Sequence, residues 1–302
     1  MIDFKKLDID QKSRLEPMLR TAAHRGCSYS FANLYLWGRM DYAVEDGTLL
    51  LFHNYQGRSM YPNPVGGDLA QTVERIMEDA RQRGIPCRIS DLRPEDKEAL
   101  EAAFPGRFRF HCDRGNFDYV YDINDLADLK GRKYQSKRTR LNRFVEEHPE
   151  ATVRPLGPGN LEECMAFLND WYAQRLEAEP HADLHSEKVA LCRAMKDYGA
   201  LGMEGLALYA DGKMIAMTMG SFLDETTVDV HFEKADPGYP AGYAAINRAF
   251  ARYIREKYPA VQFLNREEDV GSEGLRTAKL SYGPHHLIEK CWAHLRDEDY
   301  DE

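Results

Sequence analysis

The chain has 302 residues, 43% of them hydrophobic and 30% charged, which is too long for one ordinary domain and too apolar for a disordered chain, so two domains or a duplicated fold are expected. A formal net charge of −10 argues against a surface that binds nucleic acid or anionic lipid throughout, although local basic patches can oppose that average. The charged opening Met1-Ile2-Asp3-Phe4-Lys5-Lys6-Leu7-Asp8 lacks the apolar stretch of a secretory leader, and no later run reaches the ~18 apolar residues of a membrane span; a cytoplasmic protein without an integral membrane segment is expected.

In chain order, the first clear stripe is Phe31, Leu34, Tyr35 and Trp37, spaced for a core-facing helix. Asp46-Gly47 between Tyr42-Ala43-Val44 and Leu49-Leu50-Leu51-Phe52 predicts a hairpin. The loop Pro62-Asn63-Pro64-Val65-Gly66-Gly67 then leads into a helix marked by Leu69, Val73, Ile76, Met77 and Ala80, which ends at Gly84 before the strand-like Cys87-Arg88-Ile89. A helix is predicted over residues 126–147, followed by a turn-rich seam. It carries Lys130, Arg132, Lys133, Lys137, Arg138, Arg140 and Arg143 without an intervening acid. Such a run is either solvated helix surface or a patch that steers phosphates, with Lys133, Lys137 and Arg138 the chosen candidates for a polyanionic donor.

The same order of elements returns beyond the seam. Leu206-Ala207-Leu208-Tyr209-Ala210 and Met214-Ile215-Ala216-Met217-Thr218-Met219 flank Asp211-Gly212, a second hairpin signal. In the next strand, Val228, Val230 and Phe232 alternate with Asp229, His231 and Glu233, so one face is core and the other a candidate site. A breaker-rich loop with Gly238 and Gly242 opens a helix marked by Ile246, Phe250, Tyr253 and Ile254 that stops at Pro259. The short strand Val261-Gln262-Phe263-Leu264 then runs into Asn265-Arg266-Glu267-Glu268-Asp269. A repeat at this separation means domain duplication. The expected blocks are residues 1–125, a basic helical connector over 126–159, residues 160–295 and an acidic tail over 296–302.

The chemistry concentrates in the second half. Backbone N–H groups around Gly238 and Gly242, at a helix N-terminus, are candidates to cradle donor phosphates. His231 and Glu233 are candidate bases for the acceptor's proton, and Tyr282 a candidate acid for the leaving group. Asn265, Arg266, Glu268, Asp269, Arg276 and Lys279 are candidate substrate contacts, the last two sharing a helical face if residues 272 onward are helical. No G-x-S-x-G elbow or Cys-His arrangement suggests a covalent intermediate. The six cysteines, Cys27, Cys87, Cys112, Cys164, Cys192 and Cys291, form no C-x-x-C pair and are expected to be reduced core thiols, and no metal is expected. His181 and His185, with Asp183 and Glu187, lack a wider ligand pattern.

The repeated hairpin, third strand, glycine-containing loop, helix and strand resemble the N-acetyltransferase core. Three stretches sharpen this: Phe31-Ala32-Asn33-Leu34-Tyr35-Leu36-Trp37, Lys130-Gly131-Arg132-Lys133-Tyr134-Gln135-Ser136-Lys137-Arg138, and Asn265 through Gly271 running on from Gly274 to Tyr282. Together they resemble the phosphatidylglycerol lysyltransferase C-terminal domain family. The resemblance implies an α/β fold of two tandem acetyltransferase-like domains with mixed sheets, and its membrane-bound members move an amino acid from aminoacyl-tRNA to a lipid headgroup. The resulting expectation is an acyl or aminoacyl transferase acting by direct attack, with aminoacyl-tRNA or acyl-CoA as co-substrate and no tightly bound cofactor. The acceptor would be a small-molecule, peptide or lipid-headgroup amine or hydroxyl. The alternative is a noncatalytic module that binds RNA, a nucleotide or an anionic metabolite.

Overall fold

The computed structural model describes residues 1–22, 26–55, 57–178 and 184–296. Among them, fourteen strands form two seven-stranded mixed sheets: β1 (Lys5–Lys6), β2 (Met40–Glu45), β3 (Thr48–Tyr55), β4 (Arg58–Pro62), β5 (Arg88–Leu92), β6 (Phe108–Cys112), β7 (Asp118–Asp122), β8 (Thr152–Pro155), β9 (Glu204–Ala210), β10 (Lys213–Phe222), β11 (Thr227–Ala235), β12 (Phe263–Asn265), β13 (His286–Ile288) and β14 (Cys291–Leu295). Both predicted hairpins form. Asp46 and Gly47, at φ 49° and 79°, join β2 to β3, and Asp211 and Gly212, at φ 52° and 74°, join β9 to β10. Positive φ at both central residues gives the turn a twist that matches its strands.

The first compact unit comprises Met1–Asp118, Glu268–Glu273 and Leu287–Glu302, and its sheet runs β1-β2-β3-β4-β5-β14-β6. Parallel β4 and β5 are connected by the helix Leu69–Arg83, which Asp68 caps by accepting the Gln71 N–H and which Gly84 ends at φ 66°. The helix buries Val73, Ile76 and Ala80 against a core that includes Tyr61, Ile89, Leu92 and Ala293, each large apolar side chain stabilising the unit by roughly 1.5–3 kcal/mol. The second unit, Tyr119–Glu267 and Gly274–His286, has the sheet order β13-β7-β12-β11-β10-β9-β8. Its parallel pair is β11 and β12. The connecting helix Gly242–Lys257 buries Ile246, Phe250 and Ile254 at the predicted spacing.

The units do not follow the blocks read from the sequence. β14 pairs with β5 and β6 of the first unit, and β7 pairs with β12 of the second, because strand pairing reaches across the chain and leaves no local signature. Nor is 126–147 one helix: Ile123–Asp128 and Gln135–Glu147 are separated by Leu129 at φ 51° and Gly131 at φ 90°, and both belong to the second unit. The cysteine expectation also needs correction. Cys112 and Cys291 lie directly opposite each other on β6 and β14 and form a disulfide, whereas Cys27, Cys87, Cys164 and Cys192 are free thiols. No helix among the described residues is long and apolar enough to cross a membrane. His181, Asp183 and residues 297–302 of the acidic tail lie outside the described residues.

Candidate active site

The site is built on β11, the middle of the second unit's sheet. Across β10 and β11, Met219 opposes Phe232 and Gly220 opposes Val230, so His231 is an extra residue in a bulge, a device that redirects side chains. The alternation read from the sequence holds, but the polar face is not solvated: Asp229 is fully buried and the His231 side chain is 3% exposed. His231 Nε2 lies 2.8 Å from Ser221 Oγ, and its Nδ1 lies 3.3 Å from Glu267 Oε1 and 3.5 Å from Asp229 Oδ2. Two residues on, Glu233 makes a separate set of contacts, accepting from Arg266 Nη2 at 2.7 Å and from Asn247 Nδ2 at 3.2 Å.

Arg266 is the hub. β12 delivers it, its backbone N–H donates to the Tyr119 carbonyl, and its guanidinium lies 5.6 Å from the Tyr121 ring centroid and 5.0 Å from that of Tyr282. Burial opposes its charge, but Glu233, Tyr121 and Tyr282 outweigh burial and raise its pKa overall. Among the described residues, buried Nη1 of Arg266 and buried Oδ1 of Asn247 have no hydrogen-bond partner, which leaves a donor and an acceptor in one cluster. Burial pushes the Tyr282 phenol up to about 12 even though Arg266 pulls it down. At neutral pH Tyr282 is therefore a proton donor. Lys137 Nζ stands 3.9 Å from the Tyr282 ring centroid and donates to Ser281 Oγ, and burial, then Arg140 and Arg266, lower its pKa.

Several other predicted residues hold the backbone around them. Lys279 sits on the helix Glu273–Leu280 but turns inward, its ammonium held by the carbonyls of Arg266 and Glu267 at 2.5 and 3.1 Å. It braces the turn that carries Arg266. Arg276 is half-buried on the same helix. Asn265 accepts the Glu267 N–H and Asp269 accepts the Gly271 N–H, each side chain stabilising a local turn. Glu268 belongs to the first unit, where the buried ammonium of Lys290 lies 2.5 Å from it, 2.6 Å from Asp118 and 3.2 Å from Cys27 Sγ.

The glycine loop and the basic run are also narrower than expected. The Gly238 N–H donates to Asp236 Oδ1 and the Gly242 N–H to the Tyr239 carbonyl, so neither is a free phosphate donor, and Asp236 places an acid within the loop. Arg138 holds the Leu129 and Gly131 carbonyls, and Lys133 pairs with Asp125 at 3.0 Å. Of the three chosen cations, only Lys137 reaches the Tyr282 cluster. Asn247 and Tyr121 were not singled out by the sequence, although a polar residue within the apolar stripe of Ile246, Phe250 and Ile254 is a usable signal. Asp229, His231 and Glu267 place ligand-type atoms within 4.8 Å of one another, as do Cys27, Asp118 and Glu268. In the latter group, Lys290 already supplies the positive charge.

The family model for the C-terminal region of phosphatidylglycerol lysyltransferase matches residues 19–294. The chain belongs to that family. A protein of unknown function from Bacteroides thetaiotaomicron is 35% identical and superposes with a TM-score of 0.92 over 98% of this chain and 100% of that one. L-PGS from Bacillus licheniformis shares 16% identity, with a TM-score of 0.68 over 98% of this chain and 95% of its own, a likeness of fold. An uncharacterized protein of Mycoplasmoides gallisepticum is 24% identical over 177 residues, covering 57% of this chain and 54% of its own length. Two acetyltransferase-like units of mixed sheet make up the fold of this lysyltransferase-family chain, and family and fold together support an aminoacyl- or acyl-transferase kind.

Proposed function

We propose that the second unit transfers an aminoacyl group from aminoacyl-tRNA to an amine or hydroxyl acceptor by direct attack, with acyl-CoA the competing donor. The observation that carries this reading is the partly buried Arg266–Glu233 pair beside Tyr282, with one guanidinium nitrogen and the Asn247 carbonyl oxygen unengaged among the described residues. In an acyl transfer of this kind the acceptor's nitrogen or oxygen attacks the donor carbonyl carbon. Negative charge builds on the carbonyl oxygen, and the bond to the departing ribose oxygen breaks.

Each step has a group suited to it. Arg266 is fixed by Glu233 and can direct Nη1 to the carbonyl oxygen, where preorganised donors stabilise developing charge. Glu233 takes the proton released by the acceptor. His231, enclosed by Ser221, Asp229 and Glu267, is less accessible for that role. The Tyr282 hydroxyl, protonated at neutral pH, gives its proton to the leaving oxygen. Proton return from Glu233 to the phenolate, through the acceptor or water, resets the site. Lys137 and Arg140, whose charges are felt at the Tyr282–Arg266 cluster, favour an anionic donor, and family membership favours tRNA over CoA.

The test is transfer from tRNA carrying a radiolabelled amino acid, run beside labelled acetyl-CoA, with and without a panel of amine acceptors. Acceptor-dependent movement of label from tRNA supports the proposal, and movement from CoA alone reassigns the donor. Saturable binding of either donor with no product would make the protein a binding module and end the transferase reading.

A further inference from the structure

The second unit carries a cluster of metal-ligating side chains that the transfer reaction does not use. His148 ends the helix Gln135–Glu147, Glu150 follows two residues later, and Asp211 is the first turn residue of the hairpin between β9 and β10. A ligand atom from each lies within 4.8 Å of the other two. His148 Nδ1 stands 3.5 Å from Asp211 Oδ1 and 3.8 Å from Glu150 Oε1. The carboxylates are held in place. The Tyr239 hydroxyl donates to Asp211 Oδ2 at 2.6 Å, and the Asp211 backbone N–H donates to Glu150 Oε1 at 3.1 Å. The His148 ring packs on Phe144 and Tyr239, whose ring centroids are 5.0 and 5.3 Å away.

His148 Nδ1 is the informative atom. It is buried and, among the described residues, has no hydrogen-bond partner. Two carboxylate oxygens face it, so three atoms with lone pairs converge on one point, and a positive charge must sit among them. A proton on Nδ1 would draw one carboxylate oxygen in to about 2.7–2.9 Å. Both oxygens instead stand off, at 3.5 and 3.8 Å. Ligand atoms about 2.0–2.2 Å from a tetrahedral ion lie about 3.4 Å from one another, so small side-chain movements close the set around a single ion. Lys213, just past the same turn, pairs with Asp236 at 3.0 Å and is committed there. The Glu150 and Asp211 side chains are 52% and 54% exposed, which gives an ion a path from solvent.

We propose that His148, Glu150 and Asp211 bind a divalent transition-metal ion, best matched by Zn²⁺, through Nδ1 of the imidazole and one oxygen of each carboxylate. Two carboxylates balance the ion's charge, and the imidazole nitrogen selects against Mg²⁺ and Ca²⁺, which take oxygen ligands. Three protein ligands leave a fourth position for water. Tyr239 is a positioning residue, since its hydroxyl orients Asp211 from behind. The bound ion ties the end of the helix Gln135–Glu147 to the β9–β10 hairpin and, through Tyr239, to the loop that opens the helix Gly242–Lys257. It is a brace within the second unit, and the proposal does not depend on the transfer reaction.

The test is isothermal titration of the full chain, freed of metal by chelator and dialysis, with zinc chloride and with magnesium chloride, alongside melting temperatures with and without zinc. One equivalent of Zn²⁺ is expected to bind at micromolar concentration or below and to raise the melting temperature, with Mg²⁺ at least a hundredfold weaker. His148→Gln, Glu150→Gln and Asp211→Asn are each expected to weaken zinc binding at least tenfold without lowering the metal-free melting temperature. Asparagine tolerates the left-handed backbone at 211, and Glu150→Gln changes an exposed side chain, so it reads the site even where a change at His148 disturbs packing. No heat of binding with micromolar zinc, or equal affinity for Zn²⁺ and Mg²⁺, would overturn the assignment. So would unchanged zinc affinity in Glu150→Gln and Asp211→Asn, which would place the ion elsewhere, as at the exposed thiol of Cys192.

Discussion

Tyr282 is the residue whose chemistry is easiest to isolate. Tyr282→Phe keeps the ring beside Arg266 and Lys137 and removes only the hydroxyl, and a positioned acid contributes about 10²–10⁴-fold. Transfer should therefore slow by about a hundredfold or more with donor affinity retained, read in single-turnover assays. The raised pKa also sets a stability signature. Below pH 10 the phenol is protonated in folded and unfolded chains alike. Between pH 10 and about 12 the unfolded chain releases its proton while the folded chain keeps it, so stability falls through that window. Denaturant titrations at pH 9 and pH 11.5 should show Tyr282→Phe losing less stability over this interval than the native chain.

Lys279 makes the contrasting case. Because its ammonium satisfies the carbonyls of Arg266 and Glu267, Lys279→Met should cost about 1–3 kcal/mol, lowering the melting temperature and activity together. A fall in activity with no change in melting temperature would return Lys279 to the donor site. Glu233, Arg266 and Tyr282 were legible in the sequence through strand alternation and the polar cluster after it. The inward turn of Lys279 and Arg138 was not, because a run of cations does not state which carbonyls lie within reach after folding.

At the scale of elements, both hairpins and both crossover helices could be read from Asp-Gly pairs, left-handed glycines and helical spacing, all local signals. The break at Leu129–Gly131 could not, since leucine carries no turn preference and its positive φ is fixed by tertiary context. That break matters for function: it leaves the helix Gln135–Glu147 to bring Lys137 to Tyr282 while Lys133 and Arg138 stay with local partners. Lys137→Gln should then weaken donor binding and lower the salt slope of that binding by about one. The triple change that also neutralises Lys133 and Arg138 should reduce the slope little further. A slope that falls by about three in the triple variant would restore the whole run as a phosphate track.

At the scale of the molecule, duplication was visible in the sequence as a repeated order of elements, but the exchange of β7 and β14 between sequence halves and the Cys112–Cys291 bond were not. They join positions that only strand pairing relates. The same holds for the site, since β7, β11, β12 and the helix Gly242–Lys257 must assemble before Tyr121, Glu233, Arg266 and Asn247 meet. Arg266 is where fold and chemistry coincide, and removing its guanidinium outright would leave the partly buried Glu233 without its cation, at up to about 3 kcal/mol, the lower end for a buried pair. Arg266→Lys avoids that by keeping the charge while losing the planar fork. The most direct measurement is the single-turnover rate of label transfer from aminoacyl-tRNA to an amine acceptor, for the native chain and Arg266→Lys, with melting temperatures recorded alongside. The account predicts acceptor-dependent product from the native chain and a rate at least a hundredfold lower in Arg266→Lys at a similar melting temperature; equal rates in the two proteins, or no acceptor-dependent product from either, would contradict it.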